Sequence, residues 1–173
     1  DTFYTDSTGR LMLPEPLPYG HYEILEQCTA YGYVLSSEPV PFTVDGTQTT
    51  ITVEKHNIAQ KGQILVKKSG EIFSSVTESN GLYQPVYAVT GLPGAFSAIY
   101  ADMDITTPDG TIRAKEGERV GTMETGPGGV GVSGPFYLGR YKLVEEQAPG
   151  NMVLNPEPQY VTLEYAGQTV EIT

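Results

Sequence analysis

A chain of 173 residues can form one domain or two small ones, and 39% hydrophobic residues are enough for a core. With 20 Gly and 13 Pro it favours turns over helices, and no window shows a helical apolar stripe. A net charge of −11 and a pI near 4.5 argue against nucleic acid or an anionic membrane surface as partner, and no apolar run is long enough for a membrane span.

Short runs rich in Val, Ile, Thr and Tyr recur between Gly, Pro and Asp, which predicts an all-β protein. Thr5–Gly9 reads as a turn, and Pro14, Pro16 and Pro18 forbid continuous ladder pairing before Tyr19. Leu13-Pro14-Glu15-Pro16 is similar to a sortase signal but lacks the Thr and the apolar tail, so it reads as a loop. Tyr22, Ile24 and Glu26 form a first inward row, Tyr31-Gly32-Tyr33 turns the chain, and Val40–Val44 is a strand. Asp45-Gly46 signals a hairpin into a strand over Thr49–Lys55. Gln63–Lys68 is the next strand, with Ile64, Val66 and Lys68 on one face and Gly70 as its breaker. Ser74–Tyr87 reads as a polar excursion, and a strand within Val89–Tyr100 is entered through Leu92-Pro93-Gly94-Ala95. Asp109-Gly110 and Glu116-Gly117 flank a short strand, Thr125–Gly134 is a glycine-rich loop, and Phe136–Glu145, Gln159–Tyr165 and Gln168–Thr173 complete the strands.

The chain repeats itself. Gly20–Glu26 (GHYEILE) returns 119 positions later as Gly139–Glu145 (GRYKLVE), and the same offset places Glu38-Pro39 on Glu157-Pro158 and Thr43-Val44 on Thr162-Leu163. Near the end the offset grows to 121, with Ile51 opposite Ile172. Two tandem units follow, residues 1–59 and 60–173. By comparison with the second, the first is expected to lack about fifty residues at its start. The second is expected to lack the end of its last strand, stopping a few residues short of where the first unit stops, as a window cut from a longer or processed protein would.

In each copy a Tyr, an aliphatic residue and a Glu stand two apart, so a strand carries all three on one face. Tyr141 and Leu143 seek burial and take Glu145 inward with them, and a buried carboxylate needs a partner. Lys68, at the end of its own apolar row, is the candidate. Burial favours the uncharged forms of both, giving a nucleophilic amine beside a protonated acid. If an Asn or Asp side chain completes the set, the product is an isopeptide bond formed once without turnover. From pattern alone the commoner outcome is an ordinary ion pair, or a lysine reaching out to solvent.

The row I-x-V-x-K of Ile64–Lys68, the L-x-G-A entry at Leu92–Ala95, and G-x-Y-x-L-x-E with Ala148-Pro149 behind it resemble the collagen-adhesin B-type repeat. That family, also called SpaA-like or prealbumin-like, occurs in Gram-positive surface adhesins and pilins. The resemblance implies two tandem β-sandwich units of prealbumin-like or immunoglobulin-like shape, the first incomplete at its N-terminus. It implies a non-enzymatic stalk or adhesin module at the bacterial cell surface, extracellular, with neighbouring repeats of the same polypeptide as partners. It also implies that Lys68 is a cross-linking amine, Glu145 the catalyst, Glu26 the equivalent of Glu145 in the first unit, and Asn57 an acceptor amide. The departure is that Asn57 moved by 121 falls at 178, beyond Thr173, so each unit holds only part of the set. A module binding a glycan or host matrix protein through its loop tips, such as Gly126–Gly134, or its Tyr-rich edges is the alternative.

Other residues carry less. Cys28, the single cysteine, excludes an internal disulfide and reads as structural. Asp102, Asp104 and Asp109 do not match calcium-loop spacing, and His21 and His56 have no cysteine nearby, so no metal and no cofactor is expected. The glycine run lacks a Lys and a following helix, which excludes a phosphate cradle.

Overall fold

The computed structural model describes residues 1–172. In chain order its strands are β1 (Gly20–Ile24), β2 (Tyr33–Val34), β3 (Val40–Val44), β4 (Ile58–Ala59), β5 (Lys61–Lys67), β6 (Ser69–Ser79), β7 (Leu82–Gly91) and β8 (Phe96–Ala101). There follow β9 (Ile105–Thr106), β10 (Ile112–Ala114), β11 (Arg119–Glu124), β12 (Val130–Val132), β13 (Phe136–Tyr137), β14 (Gly139–Gln147), β15 (Gln159–Leu163) and β16 (Thr169–Ile172). A single 3-10 turn at Pro127–Gly129 is the one helical element among the described residues, so the chain is all-β as expected. The chain divides into two compact units. One comprises Asp1–Thr29 and Leu35–Asn57; the other comprises Ala30–Val34 and Ile58–Thr173, the short segment joining it because β2 pairs with β4.

In the first unit β1 and β3 form an antiparallel ribbon in register from Gly20↔Val44 to Ile24↔Val40, with Tyr22 stacked on Phe42 at 5.5 Å. No second sheet covers this ribbon among the described residues, so Ile24 is 44% exposed and the expected inward row is buried only at Tyr22 and Glu26, and there partly. The predicted strand over Thr49–Lys55 is absent. Asp45 does make the turn, accepting from the Thr47 amide (2.9 Å) and hydroxyl (2.6 Å), but the next segment finds no ladder partner. It stays extended enough that alternate residues from Ile51 to Asn57 are half-buried. Cys28 is exposed and free, so it has no packing role.

The second unit is a sandwich of two four-stranded layers. One has the order β11-β8-β14-β15, and the other has β12-β5-β13 with β16 on the opposite edge of β5. Period-two alternation supplies the core between them: Ile64 from β5, Ile99 and Ala101 from β8, Tyr141 and Leu143 from β14, and Val161 and Leu163 from β15. The Tyr141 hydroxyl donates to the Tyr137 carbonyl at 2.6 Å, and burial raises its pKa above the usual tyrosine range. The first unit repeats the bond at the 119 offset, Tyr22 to the Pro18 carbonyl at 2.8 Å.

Four further expectations need correction. The strand at Gln63–Lys68 ends at Lys67, one residue short of Lys68, and Gly70 does not break the sheet but lies inside β6. Ser74–Tyr87 is no excursion, because β6 and β7 form a long antiparallel ribbon turning at Asn80-Gly81, both residues at positive φ. The glycine-rich stretch is not a free tip. Its β12 pairs with β5, the Gly129 carbonyl accepts from the Lys68 amide at 2.8 Å, and a Cβ on Gly91 would collide with the Gly128 carbonyl. Of the last predicted strand, Thr169–Ile172 is observed, and Thr173 lies outside the described residues.

Candidate functional site

β5 and β14 belong to opposite layers and face each other through Ile64, Val66, Tyr141 and Leu143. Continuing each alternation by one step brings Lys68 and Glu145 together. The Lys68 Nζ lies 2.7 Å from Glu145 Oε1, with the side chains 26% and 9% exposed. The backbone holds both ends of this bridge. Lys68 donates its amide to Gly129 and accepts at its carbonyl from Leu92 (2.8 Å each), while Glu145 Oε2 accepts from the Asn155 amide at 2.7 Å. Glu157 then donates its amide to Asn155 Oδ1 at 3.1 Å. A cleft of about 180 Å³ opens beside the pair, lined also by Ser97, Asn155 and Gln159.

In the first unit Glu26 and Asn57 also meet. Asn57 Nδ2 donates to Glu26 Oε1 at 2.7 Å and to Thr29 Oγ1 at 2.8 Å, and Glu26 Oε2 accepts from the Ser36 amide at 3.2 Å. Ser36 and Asn155 are themselves 119 positions apart, so both glutamates are held by the same backbone donor ten residues downstream. The remaining carboxylate oxygen faces an ammonium in one unit and an amide in the other. Asn57 Oδ1 is buried with no hydrogen-bond partner among the described residues. Sequence reasoning missed Ser36, Asn155 and Thr29. The 119 offset contained the first two, whereas nothing in the sequence marks Thr29.

The acidic residues of the second unit are engaged separately. Asp102 pairs with Arg140 (3.0 Å), and Asp104 pairs with Lys115 and accepts from the Glu116 amide. Asp109 closes the turn between β9 and β10, accepting from the Thr107 hydroxyl at 2.6 Å and the Thr111 amide at 3.0 Å. His21 Nδ1 lies 2.9 Å from Thr43 Oγ1, and His56 sits exposed beside Glu54. No group of three His, Cys, Asp or Glu among the described residues is arranged to hold a metal. The Thr107 hydroxyl first, then the Thr111 amide, hold the Asp109 carboxyl down from 3.8 to about 2. Because folding favours the carboxylate, its contribution to stability is complete above the unfolded value and is lost as pH falls through about 2. A carboxyl-carbon NMR titration is expected to show this low midpoint, with Thr107→Val moving it back towards 3.8. A native midpoint near 3.8 would contradict the hydrogen bonding.

Residues 1–59 match the family described as SpaA: Prealbumin-like fold domain. Among solved structures the chain is similar to the Bacillus anthracis TIE protein, at 24% identity and a TM-score of 0.63, over 97% of this chain and 26% of that one. It also aligns with the group B streptococcus pilus 2b backbone protein (18% identity, TM-score 0.43, 77% of this chain and 46% of that). A streptococcal ancillary pilin gives 20% identity and a TM-score of 0.39, over 90% and 41%. The chain thus spans less than half of each of these proteins, and only the first similarity is high enough to bear on the fold. Comparison with curated proteins gave no match. The family match is confined to residues 1–59, and the all-β architecture of the chain is prealbumin-like.

Proposed function

We propose that the chain is a structural module of a bacterial surface protein, a stalk or pilin-like segment of tandem repeats at residues 1–59 and 60–173, whose sandwich is closed by self-formed cross-links. The observation that carries this reading is the Lys68–Glu145 contact at 2.7 Å, bridging the two layers at the edge of the core. In this role Glu145 takes a proton from the Lys68 ammonium and passes it to the departing group. The Lys68 Nζ attacks the side-chain carbonyl carbon of an asparagine, the carbon–nitrogen bond of its amide breaks, and ammonia leaves. Nothing turns over, so the module is not an enzyme. Glu26 and Asn57 are the carboxyl and amide of the corresponding set in the first unit, and the unpartnered Asn57 Oδ1 is the acceptor an approaching amine would meet.

The register of β16 supports an amide two positions past Ile172, at 174 rather than at the 178 that the 121 offset implied. β16 runs parallel to β5 with Val170 beside Ile64 and Ile172 beside Val66. Continued in the same register, a side chain two positions on would stand beside Lys68. The test is the intact mass, measured after denaturation, of a chain extended past Thr173 so that an asparagine stands two positions after Ile172. A deficit of about 17 Da per bond, one ammonia, is expected, and Glu145→Ala should abolish the part belonging to the second unit. An undiminished mass would remove the cross-link and leave an ion-paired sandwich.

No helix among the described residues is long and apolar enough to cross a membrane. The similarity of residues 1–59 to the SpaA prealbumin-like domain supports extracellular placement, with neighbouring repeats as partners. The loop-tip binding alternative loses its named loop, since Gly126–Gly134 is pinned against β5 and Lys68.

A further inference from the structure

The β6–β7 ribbon has no part in the sandwich core, yet it is the longest paired element of the chain, running from Ser69↔Gly91 to Ser79↔Leu82. Among the described residues its strands pair only with each other, so both outer edges are open. One face gathers Phe73, Val76, Tyr83, Pro85, Tyr87 and Val89. The five besides Pro85 are between 52% and 72% exposed, and Phe73 meets Tyr87 edge-to-face at 6.4 Å. A two-stranded ribbon with an uncovered apolar face is marginal by itself, and an open edge is a template for another strand.

The two edges are not equivalent. A two-residue turn closes on a hydrogen-bonded pair, here Ser79 with Leu82, and bonded and open pairs alternate from it. Glu78/Tyr83 and Val76/Pro85 are therefore open pairs, whose backbone groups point away from the ribbon. Pro85 has no N–H to offer there, so the β7 edge is blunted. The β6 edge keeps its donors at Val76 and Glu78. Its charges are one-sided: residues 69–91 contain Glu71 and Glu78 and no Lys, Arg or His. Both glutamates share the apolar face, one near each end of β6, about 20 Å apart for an extended chain.

We infer that the open edge of β6 receives an extended strand from a partner protein, one in which apolar residues alternate with polar ones and basic residues stand near both ends. The added strand would continue the sheet through the backbone of β6, lay its apolar residues beside Phe73 and Val76, and set its cations against Glu71 and Glu78. A second copy of this chain is the poorer occupant. Centred antiparallel pairing of two β6 strands sets Glu71 against Glu78 of the copy, and parallel pairing in register sets each glutamate against itself.

The test is calorimetric titration of the whole chain with two synthetic nine-residue peptides alternating Val and Thr, one with Lys near each end and the other with Glu there. The Lys peptide is expected to bind at least about tenfold tighter than the Glu peptide. The charge-reversed protein, Glu71→Lys with Glu78→Lys, keeps every backbone group and should invert the preference. Val76→Pro, which removes an outward N–H at an open pair, should abolish binding of the Lys peptide. Should that variant disturb the ribbon, the charge-reversed protein still decides the matter. Equal affinity for the two peptides, no inversion, or no peptide binding with concentration-dependent dimerisation would each overturn the proposal, the last in favour of a second copy.

Discussion

Glu145→Ala will lower the unfolding free energy of the second unit by about 3 kcal/mol, because it strands a lysine ammonium where water reaches it poorly. The contribution of the pair itself is smaller than this figure. Two charges brought together at the core edge are desolvated, and their attraction does little more than offset that cost. Removing one partner leaves the cost unopposed, with Lys68 only 26% exposed and the Asn155 amide deprived of its acceptor. The thermal midpoint should fall by about 10 °C. Lys68→Met combined with Glu145→Leu separates this account from a simple loss of packing. With both charges gone and the volume kept, most of the stability should return, as apolar replacement of buried pairs generally allows. A single variant melting within about 2 °C of the parent, or a double variant no better than the single, would show that the bridge carries little strain of this kind.

Gly91→Ala should cost about 3 kcal/mol for a different reason, which is the lack of space. The added methyl would meet the Gly128 carbonyl, and backbone cannot step aside as a flexible side chain can. Gly129 is packed as tightly, against the Lys68 carbonyl and the Leu92 amide. These glycines let the exit of β7 and the 3-10 turn cross directly over Lys68, and so fix where its ammonium points. The substitution is thus expected to lower the melting temperature and, if the proposed cross-link forms in the extended chain, to slow or abolish its ammonia loss. A fully cross-linked Gly91→Ala protein with parental stability would show that the crossing does not position the lysine.

The period-two rows legible in the sequence led to the half-buried pair, because Tyr141, Leu143 and Ile64 must face the core and carry Glu145 and Lys68 along. The same rule was less informative where no second layer exists. Ile24 alternates as an inward residue should, but in the ribbon of β1 and β3 it has nothing to be inside of. Thr49–Lys55 has a strand's pattern without a strand, since alternation records which residues face inward while a ladder needs a neighbour. β6 and β7 were hidden for the opposite reason. Ser, Thr and Glu occupy much of β6 because neither face is buried, so apolar and polar residues show no contrast along it. The Asn80-Gly81 turn signal was nonetheless present.

The parallel pairing of β5 with β16 has a mechanical consequence. β5 lies near the start of the second unit and β16 at its end, and the two run in the same direction. Tension entering at Lys61 and leaving at Ile172 therefore acts along the strands from opposite ends. The rungs from Thr169↔Gln63 to Ile172↔Val66 are sheared together rather than peeled one at a time. Even before any covalent bond, rupture in this geometry requires several hydrogen bonds to fail at once, which suits a module meant to bear load.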